Sequence, residues 1–395
     1  MAKKQSYLGI DLGGTSIKVV ELKDAGGRPQ LVTYGFIDEA YNIVKDESQE
    51  ARQAIAANLK ELLKKTKVTS DRAIAALPSF SVFSSVISLP AMSKKDLISA
   101  IRWEAKKFVP IPLEEMILDW EILKDLGIEV KPEEPKKPKE EEEEEKKKEF
   151  SSAKATEDRK EDKNKDTDKK EKKSDKKGTA GKGNIKVLLT AAPKNLVNRY
   201  VELFKEIGLQ LVGLETESFA LERSLVGNDR NPVMAIDIGN RATSVMIFSE
   251  GVPIHYRGID VGGNSITKSL VETMGLTAEQ AEQFKRDMGV SVTEETIDKL
   301  PQPVRYVINS IVNEIRYILN IYQSQNKKPI TKVILTGGSS FLANLTNYIQ
   351  NIFNIKAYIG DPWARVIHPV EIDSFLKELG PRLSVAIGLA MREIV

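Results

Sequence analysis

The chain has 395 residues, no cysteine, two histidines and a formal net charge of +2, although 29% of its residues are charged. Without cysteine, disulfide bonds, thiolate zinc sites and cysteine nucleophiles are excluded, and two histidines cannot build a His-rich metal site. The net charge gives no indication of nucleic-acid binding. No apolar stretch reaches the ~20 residues of a membrane span. Since the first strand also leaves no room for a signal peptide, we expect a cytoplasmic protein.

The first predicted element is a β-hairpin at residues 7–20 (YLGIDLGGTSIKVV). An apolar run ends in Asp-x-Gly, a short loop follows, and a β-branched run returns, which indicates two strands joined by a glycine turn. Because glycine lacks a Cβ, the loop N–H groups can approach a phosphate closely. We expect Asp11 to hold Mg²⁺ through water and Lys18 to neutralise phosphate charge. The other predicted phosphate ligands are Gly13, Gly14, Thr15 and Ser16. An ordinary tight hairpin is the alternative.

A small α+β subdomain is predicted next, at residues 72–215, after a first lobe at residues 1–71. Its predicted elements are extended chain at 72–90, a Ser93-capped helix at 93–109 that Pro110 and Pro112 end, strands at 116–123, 185–191 and 210–215, and a helix at 195–207. The apolar face of the first of these helices is predicted to contain Leu97, Ile98, Ile101, Ala105 and Phe108.

A charged stretch interrupts this subdomain. Residues 131–177 are mostly Lys, Glu, Asp and Arg, and Phe150 is their one aromatic residue. Such a composition cannot bury enough apolar surface to offset chain entropy, so it predicts a disordered loop at residues 131–184. Two interpretations stay open, a solvated expansion of a surface loop and a tether for a partner protein.

A second hairpin pattern opens the second half, at residues 233–248 (VMAIDIGNRATSVMIF). Asp237, Gly239 and Thr243 are expected in the matching roles, with Asp237 as a second metal ligand, whereas Asn240 and Arg241 replace a glycine-rich turn. Two such hairpins predict duplicated half-domains that face each other across a nucleotide. The other predicted bounds are a connecting helix at 216–232, a second lobe at 233–377, and a helix at 378–395 that returns to the first lobe.

Three further features of the second half are candidates for nucleotide contacts. Gly262 and Gly263 precede one helix. Glu282 and Lys285 share one face of the helix at 278–288. The alternative interpretation of Glu282 and Lys285 is an exposed ion pair without a ligand. A buried strand at 332–335 ends in TGGSS, from which a helix is predicted to open at Ser339 and Ser340 beside an anion or a sugar-adenine edge. The candidate residues are Gly262, Gly263, Glu282, Lys285, Gly337, Gly338 and Ser339.

Taken in order, these motifs resemble the actin-like ATPase superfamily, which includes actin, sugar kinases, 70 kDa heat-shock chaperones, FtsA and PilM. The most similar family is PilM, of type IV pilus assembly. The stretches that carry this resemblance are WEAKKFVPIPLEEMILDWEIL, VLLTAAPKNLVNRYVELFKEIGLQLVGLETESFALERSL, GGNSITKSL with AEQFK, and SVAIGLAMRE. The resemblance implies an α/β, actin-like (ribonuclease H-like) fold of two duplicated lobes with a small inserted α+β subdomain.

The resemblance also implies a function. ATP and Mg²⁺ would clamp the lobes, and the N-terminal cytoplasmic tail of a PilN-like bitopic membrane protein would dock between the insert and the first lobe. Residues 72–89 and 195–207 are candidate groove elements, with core packing as the alternative. Glu217 falls where the superfamily places an acid facing the γ-phosphate. It could act as a weak base or only form a salt bridge. The resemblance implies binding rather than turnover, so we expect hydrolysis to be slow at most.

The same resemblance implies a location and a set of partners. The protein is expected at the cytoplasmic face of the inner membrane, held there only through protein partners and without nucleic acid. Other platform components and weak self-association are further expectations.

Two other functions stay open. The first hairpin is also similar to the phosphate loop of ROK-type sugar kinases. The chain lacks their Cys/His zinc motif, and its Asn228-Asp229 pair lies in a loop after the helix that leaves the insert and not in a comparable middle position. An FtsA-like, membrane-associated filament protein would need an amphipathic helix beyond the core, which we do not expect after SVAIGLAMRE.

Overall fold

A computed structural model describes residues 5–38, 46–109, 111–123, 184–288, 302–325, 328–342 and 344–395 of the chain. The disorder predicted for residues 131–184 lies outside these ranges, apart from Asn184, and so does the helix-ending role of Pro110. Within the described ranges, none of the helices combines the length and the apolar character that crossing a membrane requires.

The elements follow the chain in two similar halves. The first half contains β1 (Ser6–Leu12), β2 (Ile17–Asp24), β3 (Pro29–Ile37), α1 (Gln49–Thr66), β4 (Arg72–Leu77), β5 (Phe83–Pro90), α2 (Lys94–Phe108), β6 (Met116–Leu123), β7 (Asn184–Pro193), α3 (Lys194–Ile207), β8 (Gln210–Thr216) and α4 (Glu217–Leu221). The second contains β9 (Val233–Ile238), β10 (Thr243–Ser249), β11 (Val252–Ile259), α5 (Gly263–Met274), α6 (Ala278–Met288), α7 (Gln302–Gln325), β12 (Lys332–Thr336), α8 (Leu345–Phe353), β13 (Ala357–Ile359) and α9 (Asp373–Met391).

The two halves contain sheets of the same topology. The strand order is β3-β2-β1-β4-β8 in the first lobe and β11-β10-β9-β12-β13 in the second. In each sheet the first three strands of the chain are antiparallel, and the two later strands add in parallel on the far side. The predicted duplication is therefore present at the level of strand order and direction.

The side chains of the first hairpin alternate between the two faces of the sheet, so the core of the first lobe has two layers. Leu8 and Ile10 lie in the cluster that contains α1 and α3, whereas Val20 and Leu22 pack against α9 on the other side of the sheet. Successive strand residues point to opposite faces, so these continuous apolar runs match a sheet that is covered on both sides. Gly9 allows the direct approach of α9, since a Cβ there would lie 2.0 Å from the carbonyl oxygen of Ala386.

The insert is a three-stranded antiparallel sheet, in the order β5-β7-β6, covered by α2. Ser93 caps α2 as predicted, because its hydroxyl accepts the backbone N–H of Asp96 at 3.3 Å. On the predicted apolar face, Ile101 is buried with Leu97 and Ala105, but Ile98 and Phe108 are exposed. The buried face of α2 is therefore narrower than its sequence pattern indicated.

The expected bounds of the insert differ from those observed. β4 and β8 were expected in the subdomain at 72–215, but β4 pairs in parallel with both β1 and β8 in the sheet of the first lobe. The helix α3 also belongs to this lobe, since Tyr200 and Phe204 are buried against its core. The described part of the insert therefore begins with β5 and ends with β7, since the chain leaves the lobe sheet after β4 and returns through α3.

The lobes are joined at α4 and α9. A π-helical turn (Glu222–Val226) continues α4 towards the second lobe. α9 begins at Asp373, five residues before the expected bound at 378, and contacts β1, β2 and β12. The helix predicted to open at Ser339 and Ser340 begins only at Leu345, and the described residues before it form turns and a bend.

Candidate functional site

A cleft of about 750 Å³ lies between the lobes, where the loops of both predicted hairpins face each other. Asp11 and Asp237 are the penultimate residues of β1 and β9, and a short loop follows each strand. The predicted site residues that line it are Asp11, Gly13, Gly14, Thr15, Ser16, Lys18, Glu217, Asp237, Gly239, Glu282, Lys285, Gly337, Gly338 and Ser339. Most residues that the sequence pointed to are thus brought together in one cavity.

The first hairpin provides a buried ion pair at the base of the cleft. Asp11 and Lys18 are directly opposite in the β1–β2 register, and the Lys18 Nζ atom donates to Asp11 Oδ2 at 2.7 Å. Burial lowers the pKa of Lys18, but the charge and the hydrogen bond of Asp11 outweigh it, so the net shift is upward. The ammonium therefore stays charged and close to the carboxylate.

Two more acidic residues, Glu217 and Asp237, lie at this end of the cleft. Burial and the charges of Asp11 and Asp237 raise the pKa of Glu217 to about 8, although the backbone N–H of Ser79 donates to Glu217 Oε2 at 3.2 Å. Burial also raises the pKa of Asp237 to about 6, with a further contribution from Asp11. Three carboxyl groups thus share the single ammonium of Lys18, and this excess of acidic groups suits a cation.

The described residues include no group of three or more His, Asp or Glu side chains that could hold a metal ion by themselves. The cleft nevertheless suits Mg²⁺, because this ion keeps several waters and takes only one or two carboxylates besides ligand phosphates. Asp11 and Asp237, the two carboxylates that the sequence pointed to for that role, both line the cleft.

Thr243 does not have the role expected of it. In the hairpin register, Ile238 opposes Thr243 as Leu12 opposes Ile17, so Thr243 matches a core position of the first hairpin. Its side chain is fully buried, and its hydroxyl donates to the carbonyl oxygen of Val261 at 2.7 Å. Thr243 therefore connects β10 to the start of α5 and does not line the cleft.

Gly262 and Gly263 lie behind the second loop and are not cleft-lining residues. The Gly263 N–H donates to the Gly239 carbonyl at 3.0 Å, and a Cβ at Gly262 would lie 2.6 Å from that same oxygen. These two glycines allow the N-terminus of α5 to pack closely against the hairpin loop. Their backbone serves this packing and is not turned towards a ligand.

The predicted acid–base pair also lines the cleft. Lys285 Nζ donates to Glu282 Oε1 at 2.7 Å and to Thr267 Oγ1 at 3.1 Å, so α5 and α6 are linked at this point. Nearby, the backbone N–H groups of Gly337 and Ser339 donate to carbonyl oxygens of Pro381 and Ile238, both at 3.0 Å. The TGGSS turn therefore holds α9 and β9 in place beside the cleft.

Three residues that the sequence reasoning missed also belong to this region. Arg382 on α9 lines the cleft, pairs with Asp38 and lies 3.9 Å from the ring centroid of Phe36. Phe80 lines the cleft with 59% of its surface exposed. The Tyr200 hydroxyl is buried and has no hydrogen-bond partner among the residues that the structure describes. Burial raises its pKa, and the nearby charges of Glu217 and Asp11 raise it further. No local pattern in the sequence marks any of them.

Two lobes of identical strand order, joined by two helices and closing on an acidic cleft, define the actin-like fold, as expected from the sequence. The chain matches the profile of the family described as type IV pilus assembly protein PilM over residues 9–137 and 176–394, and it belongs to that family. A solved structure described as the PilM-PilN type IV pilus biogenesis complex is 23% identical, with a TM-score of 0.73 and 100% of both chains covered. At this identity, the likeness establishes a common fold.

Curated relatives with sequence similarity include cell division proteins. FtsA of Agrobacterium fabrum is 30% identical over 178 residues, which are 39% of this chain and 39% of that protein. FtsA of Neisseria meningitidis serogroup B is 23% identical over 234 residues, 52% of this chain and 53% of that protein. The chain thus spans about two fifths to one half of the length of these relatives.

Proposed function

We propose that the chain is an ATP-binding scaffold of a type IV pilus, or related secretion or competence, assembly platform. The observation that carries the proposal is the placement of Asp11, Lys18 and Asp237 at the facing ends of two equivalent hairpins in one cleft. The phosphates of ATP would lie between the hairpin loops, and its ribose and base near Glu282 and Lys285. Because residues of both lobes line the cleft, a nucleotide held there would fix the angle between them.

The first loop suits phosphate by both its backbone and its side chains. In the described part of the chain, the N–H groups of Gly14 and Thr15 donate to no protein acceptor, and Ser16 adds a hydroxyl beside them. A Cβ at Gly13 would lie 3.1 Å from the Ser16 carbonyl oxygen, so a larger residue would crowd this turn. Bound Mg²⁺, held through water by Asp11 and Asp237, would neutralise phosphate charge.

Glu217 is the candidate for a weak general base. A carboxyl group with a pKa of about 8 is mostly protonated near neutral pH and accepts a proton poorly in that state. A bound cation and the nearby Lys18 would favour its ionised form. We therefore expect binding to dominate and ATP hydrolysis to be slow at most.

The proposed partner is the N-terminal cytoplasmic tail of a PilN-like bitopic membrane protein, which would hold the chain at the inner membrane. The family and the solved PilM-PilN complex support this partner. Residues 72–89 and 195–207 were the expected groove elements. Their parts in the first lobe mostly pack in the core, because β4 and the inner face of α3 are buried. Val201 on α3 and Phe80 before β5 are exposed, and they are the apolar groups that a peptide could contact where the insert meets the lobe.

The test is a fluorescence-anisotropy titration of the protein with the N-terminal cytoplasmic peptide of a PilN-like protein from the same genome, with and without Mg-ATP. Asp11→Asn keeps the shape of the side chain while removing its charge, and Asp71→Asn, exposed and outside the cleft, is the matched control. Saturable binding that Asp11→Asn weakens and Asp71→Asn leaves unchanged supports both partner and coupling. ATP binding without any peptide binding would remove the partner from the proposal.

A second candidate function is an FtsA-like filament, favoured by the partial match to FtsA sequences. Sedimentation of the protein with Mg-ATP distinguishes the two. Nucleotide-dependent pelleting without binding of the PilN-like peptide would favour the filament over the scaffold.

A further inference from the structure

The two hairpin loops have the same length but offer different groups to the cleft. Residues 13–16 read Gly-Gly-Thr-Ser and residues 239–242 read Gly-Asn-Arg-Ala, and each loop joins strands in the same register. Arg241 therefore occupies the position of Thr15. The strand position of Lys18 is taken by Ser244 in the second hairpin, so the basic residue there lies in the loop and not on the returning strand.

The backbone of the second loop is already engaged. The Gly239 N–H donates to the carbonyl of Ala242 at 3.0 Å, which closes the turn on itself. The carbonyl of Asn240 accepts the N–H of Asn264 at 2.7 Å, which fixes the loop against α5. The equivalent Gly13 N–H donates to no protein acceptor in the described part of the chain, so the second loop offers one backbone donor fewer than the first. A side chain gives the second loop a further means of binding phosphate.

Arg241 is the side chain of this loop that can bind a phosphate. The residue is exposed and lines the cleft, and within the described ranges no carboxylate lies at ion-pair distance from it. Other cleft cations are neutralised, Lys18 by Asp11 and Lys285 by Glu282. The neighbouring Asn240 Nδ2 donates to Thr15 Oγ1 at 3.3 Å, so the two loops meet across the cleft. A phosphate held on the first loop would lie beside the loop that carries the guanidinium.

We propose that Arg241 binds the terminal phosphate of a nucleoside triphosphate and thereby makes the cleft prefer a triphosphate to a diphosphate. The inference rests on the proposed nucleotide-binding function and adds to it the residue that reads the number of phosphates. A guanidinium binds two phosphate oxygens at once, and such charge-assisted hydrogen bonds are roughly twice as strong as neutral ones. A diphosphate lacks the group that would lie between the loops, so it gains little from Arg241.

The experiment measures dissociation constants for Mg-ATP and Mg-ADP by isothermal titration calorimetry, in the wild-type protein and in Arg241→Ala, Arg241→Lys and Arg28→Ala. Arg28 is exposed on the β2–β3 turn, outside the cleft, and is the matched control. Because Arg241 is exposed, we expect all variants to keep the wild-type melting temperature. Arg241→Ala should weaken ATP binding about 10-fold or more and ADP binding less than about 2-fold, while Arg241→Lys should keep part of the preference.

The outcomes separate this inference from the function on which it rests. A loss of ATP preference confined to the Arg241 variants supports the assignment. Equal weakening of ATP and ADP, or unchanged affinities for both, overturns the role of Arg241 while leaving nucleotide binding intact. If the folded wild-type protein binds neither nucleotide, the proposed nucleotide function fails and the inference fails with it.

Discussion

Replacing Glu217 by glutamine should make the nucleotide-free protein more stable, and increasingly so as the pH rises. The folded-state pKa of Glu217 is about 8, against 4.5 for the unperturbed group, because burial and the charges of Asp11 and Asp237 oppose its ionisation. As the pH rises, the unfolded chain therefore releases this proton first, and folding loses stability between about pH 4.5 and pH 8. Glutamine cannot ionise, and its side-chain oxygen still accepts the Ser79 N–H.

The size of the effect follows from the shift. About 3.5 pKa units at 1.36 kcal/mol each set a ceiling of ~5 kcal/mol above pH 8. Glu217 lines an open cleft, so water screens part of this cost, and we expect a gain of ~1–2 kcal/mol. For a protein of this size, with an unfolding entropy of about 2 cal/mol/K per residue, that corresponds to about 1–3 °C in melting temperature. The gain should be clearly smaller at pH 5.5, where the folded wild-type protein keeps the proton.

The assay is thermal unfolding followed by circular dichroism at pH 5.5, 7.0 and 8.5, without nucleotide. Glu272→Gln, at an exposed position of α5, is the matched control for the loss of one carboxylate. The reasoning is refuted if Glu217→Gln and the wild-type protein show parallel pH profiles, or if Glu272→Gln reproduces the effect.

Three further predictions concern stability. Tyr200→Phe removes a buried hydroxyl that has no hydrogen-bond partner among the described residues. The free energy of unfolding of the nucleotide-free protein, measured by chemical denaturation, should therefore rise by ~1 kcal/mol. A fall in this free energy would show that the hydroxyl does form a hydrogen bond. In the insert, Ile101→Ala should cost ~2–4 kcal/mol, because Ile101 is 1% exposed, whereas Ile98→Ala at a 40% exposed position should cost less than ~1 kcal/mol by the same measurement. Deletion of residues 131–180 should change the melting temperature by less than about 2 °C, because the pairing of Leu123 with Lys186 holds the ends together and closure entropy depends only weakly on loop length. A larger fall would show that the charged stretch contributes to the fold.

Much of the fold could be predicted because its signals are local. Asp-x-Gly between two apolar runs predicted both hairpins, and the repetition of that pattern predicted two lobes. Ser93 at the start of a periodic apolar stretch predicted the beginning of α2. Each of these depends on residues close together in the chain, where spacing and turn chemistry are sufficient.

The sheet to which a buried strand belongs could not be predicted in the same way. The apolar run of β4 (RAIAAL) indicates burial, but its parallel partners β1 and β8 are distant in sequence, and nothing in the strand itself identifies them. The predicted bounds of the insert, 72–215, were therefore wider than those of the three-stranded sheet that forms it. Thr243 was misplaced because the two loops have the same length, so that Arg241 takes the position of Thr15 and Thr243 that of the buried Ile17. Tyr200 approaches the acids of the cleft only through the packing of α3.

The position of α9 has a consequence for how the chain folds during synthesis. Val20 and Leu22 complete their packing against Trp363, Val366 and α9, which follow most of the second lobe in the sequence. The first lobe, although made first, therefore leaves one face of its sheet uncovered until residues 373–391 have been translated. Domains usually fold as units from the N-terminus onwards, but here the two lobes must reach their final state together. The exposed face of β1 and β2 is the surface of the nascent chain that a chaperone would need to protect.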